Sequence, residues 1–520
     1  MGWYSQWTQR NLDASNFDAT RFTAARALVL YRPFCVGGTP ATAACATANR
    51  RAQNPVNGAL STNTNLVGTF VPGVGDKLNG ISVGTDPNVP HGFKDPAPIQ
   101  WQPRFGFAWD VFGTSRTVLR AHGGVYHSTR TGGGTTGGNL VSNPPYQRNV
   151  TIDFGTIDNL VNLTGTALEN PTGLNAVEVH TKTPTIYNFS MGIQQDIGFK
   201  TILEVSYVGS VARHLGELRN INGVPDGARF LDLNPQNRNP FSTGVLADNF
   251  LRPYQGYGDI NVVMGSGASN YNGLQVQLSR RYAQRFQFGV AYTWHKTLDY
   301  ANDDSSNVSF PRPYKAFNYG PADHDQSHIF TTNYIWDIPS LGKRLDYRVV
   351  KALFDGWQLS GTTSLVTGRP KSVGVSYNGG TTDITGGTVN ARPLVLCNPN
   401  HQVANAANGT PVFVDASCFE RPLTRGEIGN AQRNLIRRPG VINSDLAFFK
   451  NVRLREKLRL QFRWETYNIF NHTNFNDINT DLTLTLNTTT NQVTQTNALF
   501  GQPITARSPR VMQGSLRISF

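Results

Sequence analysis

The sequence predicts an all-β chain: part of an antiparallel transmembrane β-barrel, about thirteen strands of it, with long extracellular loops. Three observations predict this. The final strand puts Met512, Gly514, Leu516, Ile518 and Phe520 on one face and Gln513, Ser515, Arg517 and Ser519 on the other. A period of two with one apolar and one charged face suits a wall between lipid and water. Taken alone, it equally suits an amphipathic strand closing a soluble sandwich. The second observation is composition. Only 16% of the 520 residues are charged, beside 51 Gly, 29 Phe and 18 Tyr, whereas a soluble enzyme carries about a quarter. The apolar runs, such as Ala27 to Tyr31, fall far short of the roughly 20 residues a spanning helix needs. A membrane span in this chain is therefore made of strands, whose backbone is satisfied in lipid only in a barrel. The third observation is a strict alternation of short and long connections.

In chain order, strands are expected at Gly2 to Trp7 and Arg21 to Tyr31, followed by four hairpins. Arg104 to Val111 and Thr117 to Tyr126 flank Phe112-Gly113-Thr114-Ser115. Ile186 to Ile197 and Thr201 to Gly209 flank Gly198-Phe199-Lys200. Gly273 to Tyr282 and Phe286 to Thr297 meet at Ala283-Gln284-Arg285. Ser444 to Val452 and Leu458 to Phe470 are joined through Arg453 to Lys457. Short Gly-bearing or polar connections between alternating runs are hairpin signals. Single strands are expected at Ile329 to Ile338 and Trp357 to Gly368. Between these units run long connections: Tyr31–Gln102, His127–Pro184, Ser210–Asn272, Leu298–Ser327, Arg369–Asn443 and Asn471–Pro509. Loops of that length are uncommon in a compact soluble domain. Counted back from Phe520 at the periplasmic end, the short connections fall on the periplasmic side and the long ones outside.

The N-terminal Met1-Gly2-Trp3-Tyr4-Ser5-Gln6-Trp7 has no basic n-region and no apolar h-region, which reads as the tail of a longer precursor. Four cysteines form two local pairs, Cys35 with Cys45 and Cys397 with Cys418. An even count at short spacing suits disulfides in an oxidising compartment. The alternative is four free thiols. The formal charge is +13. Lys and Arg are spread thinly, with no nucleic-acid motif, so a lumen and loops rich in Arg explain the charge better than a nucleic-acid partner does.

Taken in order, several segments resemble Oar-like TonB-dependent receptors. They are Trp101 to His127, Asn188 to Leu215, Ser269 to Asp299, the Gly-Trp-Gln strand within Phe354 to Pro370, Gly429 to Asn451, and the Glu-x-x-Asn-x-x-Asn pattern within Phe462 to Phe475. The resemblance implies an outer-membrane barrel of roughly 22 strands with a plugged lumen. It further implies an energy-coupling box before the plug, received by an inner-membrane coupling protein. Neither plug nor box is visible here, so residues 1–520 read as the C-terminal part of such a barrel. The corresponding expectations are an incompletely closed sheet without an internal plug and a terminal Phe520 read by the barrel-insertion machinery. The resemblance also points to uptake of a bulky nutrient, with a passive porin or adhesion barrel as the alternative.

Chemistry-bearing motifs are sparse. Arg459, Arg463, Glu465 and Arg517 share the polar faces of their strands and are candidate lumen-facing residues, either cross-linking the barrel interior or meeting an anionic ligand. His324-Asp325-Gln326-Ser327-His328 has metal-ligand residue types, but it leads into a strand, where an i, i+4 pair does not chelate well. It reads as a hydrogen-bonded corner. Asn302-Asp303-Asp304 reads as a solvated loop, with calcium as the alternative. Gly80-Ile81-Ser82-Val83-Gly84 matches a nucleophile elbow in letters, but a turn follows where that motif requires a helix. Gly132-Gly133-Gly134 and Gly137-Gly138 precede no helix able to hold phosphate. Neither an enzyme nor a cofactor is expected.

Overall fold

The computed structural model describes residues 2–4, 13–38, 43–95, 98–128, 140–147, 150–151, 168–301, 308, 317–340, 349, 353–377, 384–453, 458–487, 489–490 and 492–520. Asn302-Asp303-Asp304 and the Gly132 to Gly138 run lie outside them. The architecture is all-β, dominated by one 13-stranded sheet. Eleven of its strands form a continuous antiparallel path: β1 (Arg104–Asp110), β2 (Thr117–His127), β3 (Thr185–Gly198), β4 (Thr201–Asn220), β5 (Tyr257–Ala283), β6 (Phe286–Asp299), β7 (His328–Asp337), β8 (Trp357–Val366), β9 (Val441–Arg453), β10 (Arg459–Tyr467) and β11 (Val511–Ser519). Each strand pairs with its neighbours in sequence. Two short strands join at the side: Thr172–Val177 runs parallel to β5, and Gly320–Pro321 pairs with β6.

The hairpins form because their connections permit a tight reversal. Gly198, at φ +88°, turns β3 into β4, and the Asp196 carboxylate accepts the Gly198 N–H at 2.8 Å. Along the path the connections alternate as expected: residues 199–200, 284–285 and 454–458 at one end, and residues 221–256, 367–440 and 468–510 at the other. The β7–β8 connection, residues 338–356, is the longest on the short side.

Register sorts the side chains onto two surfaces. Opposite one another on the outer face stand Leu460 and Ile518, Phe462 and Leu516, and Trp464 and Gly514. At the other end of the path Phe105, Phe107 and Trp109 share this face, with Phe105 70% exposed. Large apolar side chains left open along a whole sheet face match a wall whose solvent on that side is lipid. Two glycines fit the same face closely: a Cβ on Gly209 would meet the Phe189 ring at 2.3 Å, and one on Gly123 the Phe105 ring at 2.6 Å. Aromatics laid over cross-strand glycines help pin register in curved sheets. Among the described residues β1 and β11 are each paired on one side only, and an odd antiparallel path makes them run in the same direction.

Two expected strands are corrected. Arg21 to Tyr31 is not a strand. It holds two 3-10 turns, Ala19–Arg21 and Ala24–Arg26, and a single bridge from Leu30 to Phe70. The Asp18 side chain caps the first turn through Thr20 N, and the Asn79 side-chain Oδ1 accepts the Thr23 N–H at 2.9 Å. Gly2–Tyr4 is extended but pairs with Gln100–Gln102 outside the large sheet. Among the described residues, Phe17 packs with Leu174 and Tyr257 of the loop layer, and Ala14 and Phe93 pack with Leu140.

That loop layer holds the apolar core. One cluster joins Tyr377, Val414, Phe419, Ile436, Ile478, Leu482, Leu484 and Phe500, drawn from the two connections 367–440 and 468–510. These connections are stitched by a parallel ladder, Gly374–Tyr377 against Asp481–Leu484. A second cluster joins Phe17, Leu174, Ala176, Tyr257, Ile260 and Val262 where β4 and β5 run on beyond the expected loop boundaries.

Candidate functional site

The inner face of β9–β11 collects the four candidate lumen residues. Register sets Arg459 against Ser519, Gln461 against Arg517, Arg463 against Ser515 and Glu465 against Gln513, all on one face because side chains alternate with period two. Arg463 pairs with Glu465, and its guanidinium lies 5.1 Å from the Phe449 ring centroid. Gln513 donates to Glu465 and, at 3.3 Å, to the Tyr467 hydroxyl. Gln461 donates to Asn451 at 2.8 Å. Arg459 and Arg517 are exposed and meet no carboxylate among the described residues. Half of the set is thus tied into a cross-strand network and half is open to solvent.

This face continues along the path. Gln287, Asn333, Ser360, Thr362, Asp445 and Glu465 line a cleft of about 300 Å³. Above it, at the long-loop end, lies a wider cleft of about 900 Å³ bounded by Arg369, Asn443, Asp445, Tyr467, Asn474 and Arg507. Asp445 and Tyr467 line both, so one polar surface descends from the loops along the wall. The Asp445 carboxylate accepts the Asn468 N–H at 2.8 Å and the Asn443 amide at 3.0 Å, which fixes the rim.

The His324–His328 segment is a corner at the top of β7. Asp325 is fully buried, accepts the Thr297 N–H at 2.6 Å and pairs with Arg437, while His295 Nδ1 stands 3.8 Å away. His328 opens the strand, its Nδ1 2.9 Å from the Tyr292 hydroxyl. Beside it Arg433 pairs with Asp299 and reaches Asp323 at 3.7 Å; burial pulls the Arg433 guanidinium below its ordinary pKa. Arg392, half-buried with its guanidinium 3.6 Å from the Phe317 ring centroid, is pushed down to about 10 by loss of water. The sequence reading did not single out this Asp299–Asp325–Arg433–Arg437 network. The Arg437-Arg438 doublet was its one local sign.

Both cysteine pairs are disulfides in the structure, Cys35–Cys45 with Cα atoms 5.9 Å apart and Cys397–Cys418 at 5.0 Å. Asp415 lies beside Cys397 and Cys418, but a disulfide offers no thiolate to a metal. The Asp415 carboxylate sits below its ordinary pKa because it accepts hydrogen bonds from Ser417, with His401 3.2 Å away adding to the effect. Ser82 is buried mid-strand opposite Asn16, and a turn follows at Asp86. This is not the geometry of an exposed nucleophile elbow. Phe520 ends the chain 96% exposed, on the outer-face side of β11.

An antiparallel wall with an apolar outer face, a polar inner face and its folded mass in loops at one end is the architecture of a membrane-spanning β-barrel protein. The outer membrane beta barrel domain family matches residues 3–513. The chain belongs to that family, and its location is the outer membrane. Among solved structures, the outer-membrane transporter YddB from Escherichia coli is similar at 12% identity and TM-score 0.39, over 82% of this chain and 41% of its own. The ferric-catecholate import receptor Fiu from E. coli K12 is similar at 10% identity and TM-score 0.32, over 84% of this chain and 38% of its own. The ferripyoverdine receptor of Pseudomonas aeruginosa is similar at 11% identity and TM-score 0.35, over 82% and 34%. The chain thus spans about two-fifths of the length of such proteins or less. No curated protein matches it.

Proposed function

We propose that this chain is the C-terminal part of the barrel of a TonB-dependent receptor that imports a bulky nutrient with energy coupling. The observation that carries the reading is the continuous polar surface. It runs from a cleft of about 900 Å³ at the loop end down the inner face of the wall, beneath loops folded around their own apolar core. A channel for small solutes needs an open mouth. Loops with a shared core and a disulfide present a shaped surface, which suits capture of one ligand before passage. The resemblance of Trp101 to His127, Asn188 to Leu215 and the Glu465 to Asn471 pattern to Oar-like receptors supports the same reading. Energy coupling enters through an N-terminal region of the longer protein and its inner-membrane partner. The four inner-face residues Arg459, Arg463, Glu465 and Arg517 line the passage. Phe520 presents the terminal strand to the insertion machinery.

Uptake in cells making the protein from its complete reading frame tests this. The probes are fluorescent oligopeptides and oligosaccharides, with and without a protonophore. Accumulation that collapses when the proton gradient is dissipated is expected. Uptake indifferent to the gradient would make the protein a passive porin, and surface binding without uptake would make it an adhesion barrel.

A further inference from the structure

The short-connection end of the wall is both basic and aromatic. The β5–β6 hairpin tip carries Arg280, Arg281 and Arg285 and no acidic residue. It adjoins the β3–β4 turn with Lys200: Arg280 is in register with Thr201, and the Arg281 N–H donates to the Lys200 carbonyl at 3.1 Å. Four cations therefore sit on two neighbouring turns. Arg280 shares the outer face with Val276 and Leu278, and its guanidinium lies 5.8 Å from the Phe286 ring centroid.

Aromatic side chains mark the depth of this end. Phe199, beside Lys200, is 84% exposed, and Phe112 at the β1–β2 turn is 71% exposed. Tyr282, next to the β5–β6 turn, and Phe354, in the β7–β8 connection, are about half exposed. Open aromatics at strand ends belong at the boundary between hydrocarbon and headgroups.

The nearby acids do not neutralise these cations. Asp110 accepts the Ser115 N–H at 2.6 Å, Asp196 accepts that of Gly198 at 2.8 Å, and Asp337 takes the Gln358 amide at 2.7 Å and the Tyr282 hydroxyl. Among the described residues none of the three meets a cation, and Lys200, Arg280, Arg281 and Arg285 meet no carboxylate. Elsewhere on the outer face a cation is handled differently: Lys450 donates to the Leu353 carbonyl at 3.0 Å and lies 5.1 Å from the Trp357 ring centroid. Arg280 donates to the Ala283 carbonyl at 3.5 Å and to the Gln284 side chain at 3.4 Å, and among the described residues meets no carboxylate. Guanidinium groups without a carboxylate partner at headgroup depth are matched by phosphate, which they grip with two parallel N–H donors.

We propose that this periplasmic rim binds the headgroups of anionic glycerophospholipids in the inner leaflet through Lys200, Arg280, Arg281 and Arg285. Phe199 and Tyr282 hold the turns at the depth where the phosphates lie. Counter-charge then comes from the lipid, which explains why two adjacent turns tolerate four cations that form no ion pair with Asp196 or Asp337. This surface is independent of any transported substrate.

The full chain inserted in phosphatidylcholine vesicles doped with brominated phosphatidylglycerol or brominated phosphatidylcholine tests the proposal through quenching of tryptophan emission. Trp336 lies at this end and is exposed on the outer face. A several-fold preference for phosphatidylglycerol is expected, fading near 1 M NaCl, where the Debye length falls to about 3 Å. The combined Lys200→Gln, Arg280→Gln, Arg281→Gln and Arg285→Gln variant is expected to lose it. The Arg280→Lys, Arg281→Lys and Arg285→Lys variant, which keeps charge and fold, is expected to retain most of it. Equal quenching by the two lipids in the unaltered protein would overturn the proposal. So would a preference that survives the glutamine variant, or one that persists unchanged in high salt.

Discussion

Replacing Leu516 with Arg distinguishes a lipid-facing wall from a soluble sheet by the size and sign of one energy. β11 has nine residues, Val511 to Ser519. At roughly 3.3 Å per residue and a tilt of about 40° it rises about 23 Å, close to the ~25 Å apolar band of an outer-membrane barrel. Leu516 is one residue from the strand centre, on the outer face opposite Phe462, so its side chain lies within a few ångströms of the midplane. Arg there costs about 2–4 kcal/mol. The adjacent Ser515 lies on the inner face opposite Arg463, and Ser515→Arg costs below about 1 kcal/mol, the penalty for like charges across a strand pair. In water the two would differ little, since Leu516 is 61% exposed in the chain itself and Arg would be neutral there. Denaturant titration of the protein refolded into phospholipid vesicles, followed by tryptophan emission, measures both. A Leu516→Arg penalty no larger than that of Ser515→Arg would refute the assignment of faces, and with it the reading of the sheet as a membrane wall.

Cys397→Ser with Cys418→Ser should release a closed segment of 21 residues and destabilise the loop layer by about 3 kcal/mol on the chain-entropy model. Faster proteolysis within residues 384–440 or 468–487 with the wall intact would show this, and thiol labelling of the unreduced, denatured parent should find no free cysteine. Deleting Phe520, or replacing it with Asp, should lower the amount of assembled protein in the outer membrane more than a substitution in a long loop does; unchanged levels would contradict the role given to it. The pH response of the loop layer follows from Asp415, whose folded pKa lies below its ordinary value of 3.8 because Ser417 donates to it. Its contribution is fully present above 3.8 and is lost as pH falls through the lowered folded value. Asp415→Asn should therefore flatten the acid limb of loop stability, measured by proteolysis across that range: the variant is less stable than the parent above 3.8, and the two converge as pH falls through the lowered folded value.

The wall was legible because its rule is local. β2 through β11 each alternate with period two, and a hairpin turn such as Gly198-Phe199-Lys200 announces itself in three residues. The four inner-face candidates on β10 and β11 were legible for the same reason: parity along a strand fixes which residues share a face, and pairing then sets Arg463 against Ser515 and Glu465 against Gln513. Alternation failed where the strand was not in the wall. Arg21 to Tyr31 reads as apolar and polar by turns, yet Leu28 and Leu30 are buried in the loop layer and the backbone before them is wound into 3-10 turns by Asp18 and Asn79. The opposite error occurs at Ile260 and Val262, which sit inside a span read as loop. They are strand because Thr172–Val177 supplies a parallel partner from far upstream.

The loop layer resisted reading because its contacts are distant in sequence. Tyr377 finds Leu484 across more than a hundred residues, Asn143 is bound to Ser15 and Asn175, and Asp325 depends on Arg437. None of these pairings has a period or a spacing that announces it. The physical reason lies in the two solvents. The wall exchanges a protein core for lipid, so its apolar residues face outward singly and need no partner beyond the neighbouring strand. The loops stand in water and must build a core of their own, as the clusters around Ile436 and Ile260 do. A long loop that stayed unfolded would keep its conformational entropy and leave the cleft at the barrel mouth without a fixed shape. The ordering of residues 384–440 and 468–487 into one cored unit therefore costs entropy that burial of Val414, Phe419 and Leu482 must offset. A protein that only let solutes through would gain nothing from that exchange, and one that holds a ligand at its mouth would.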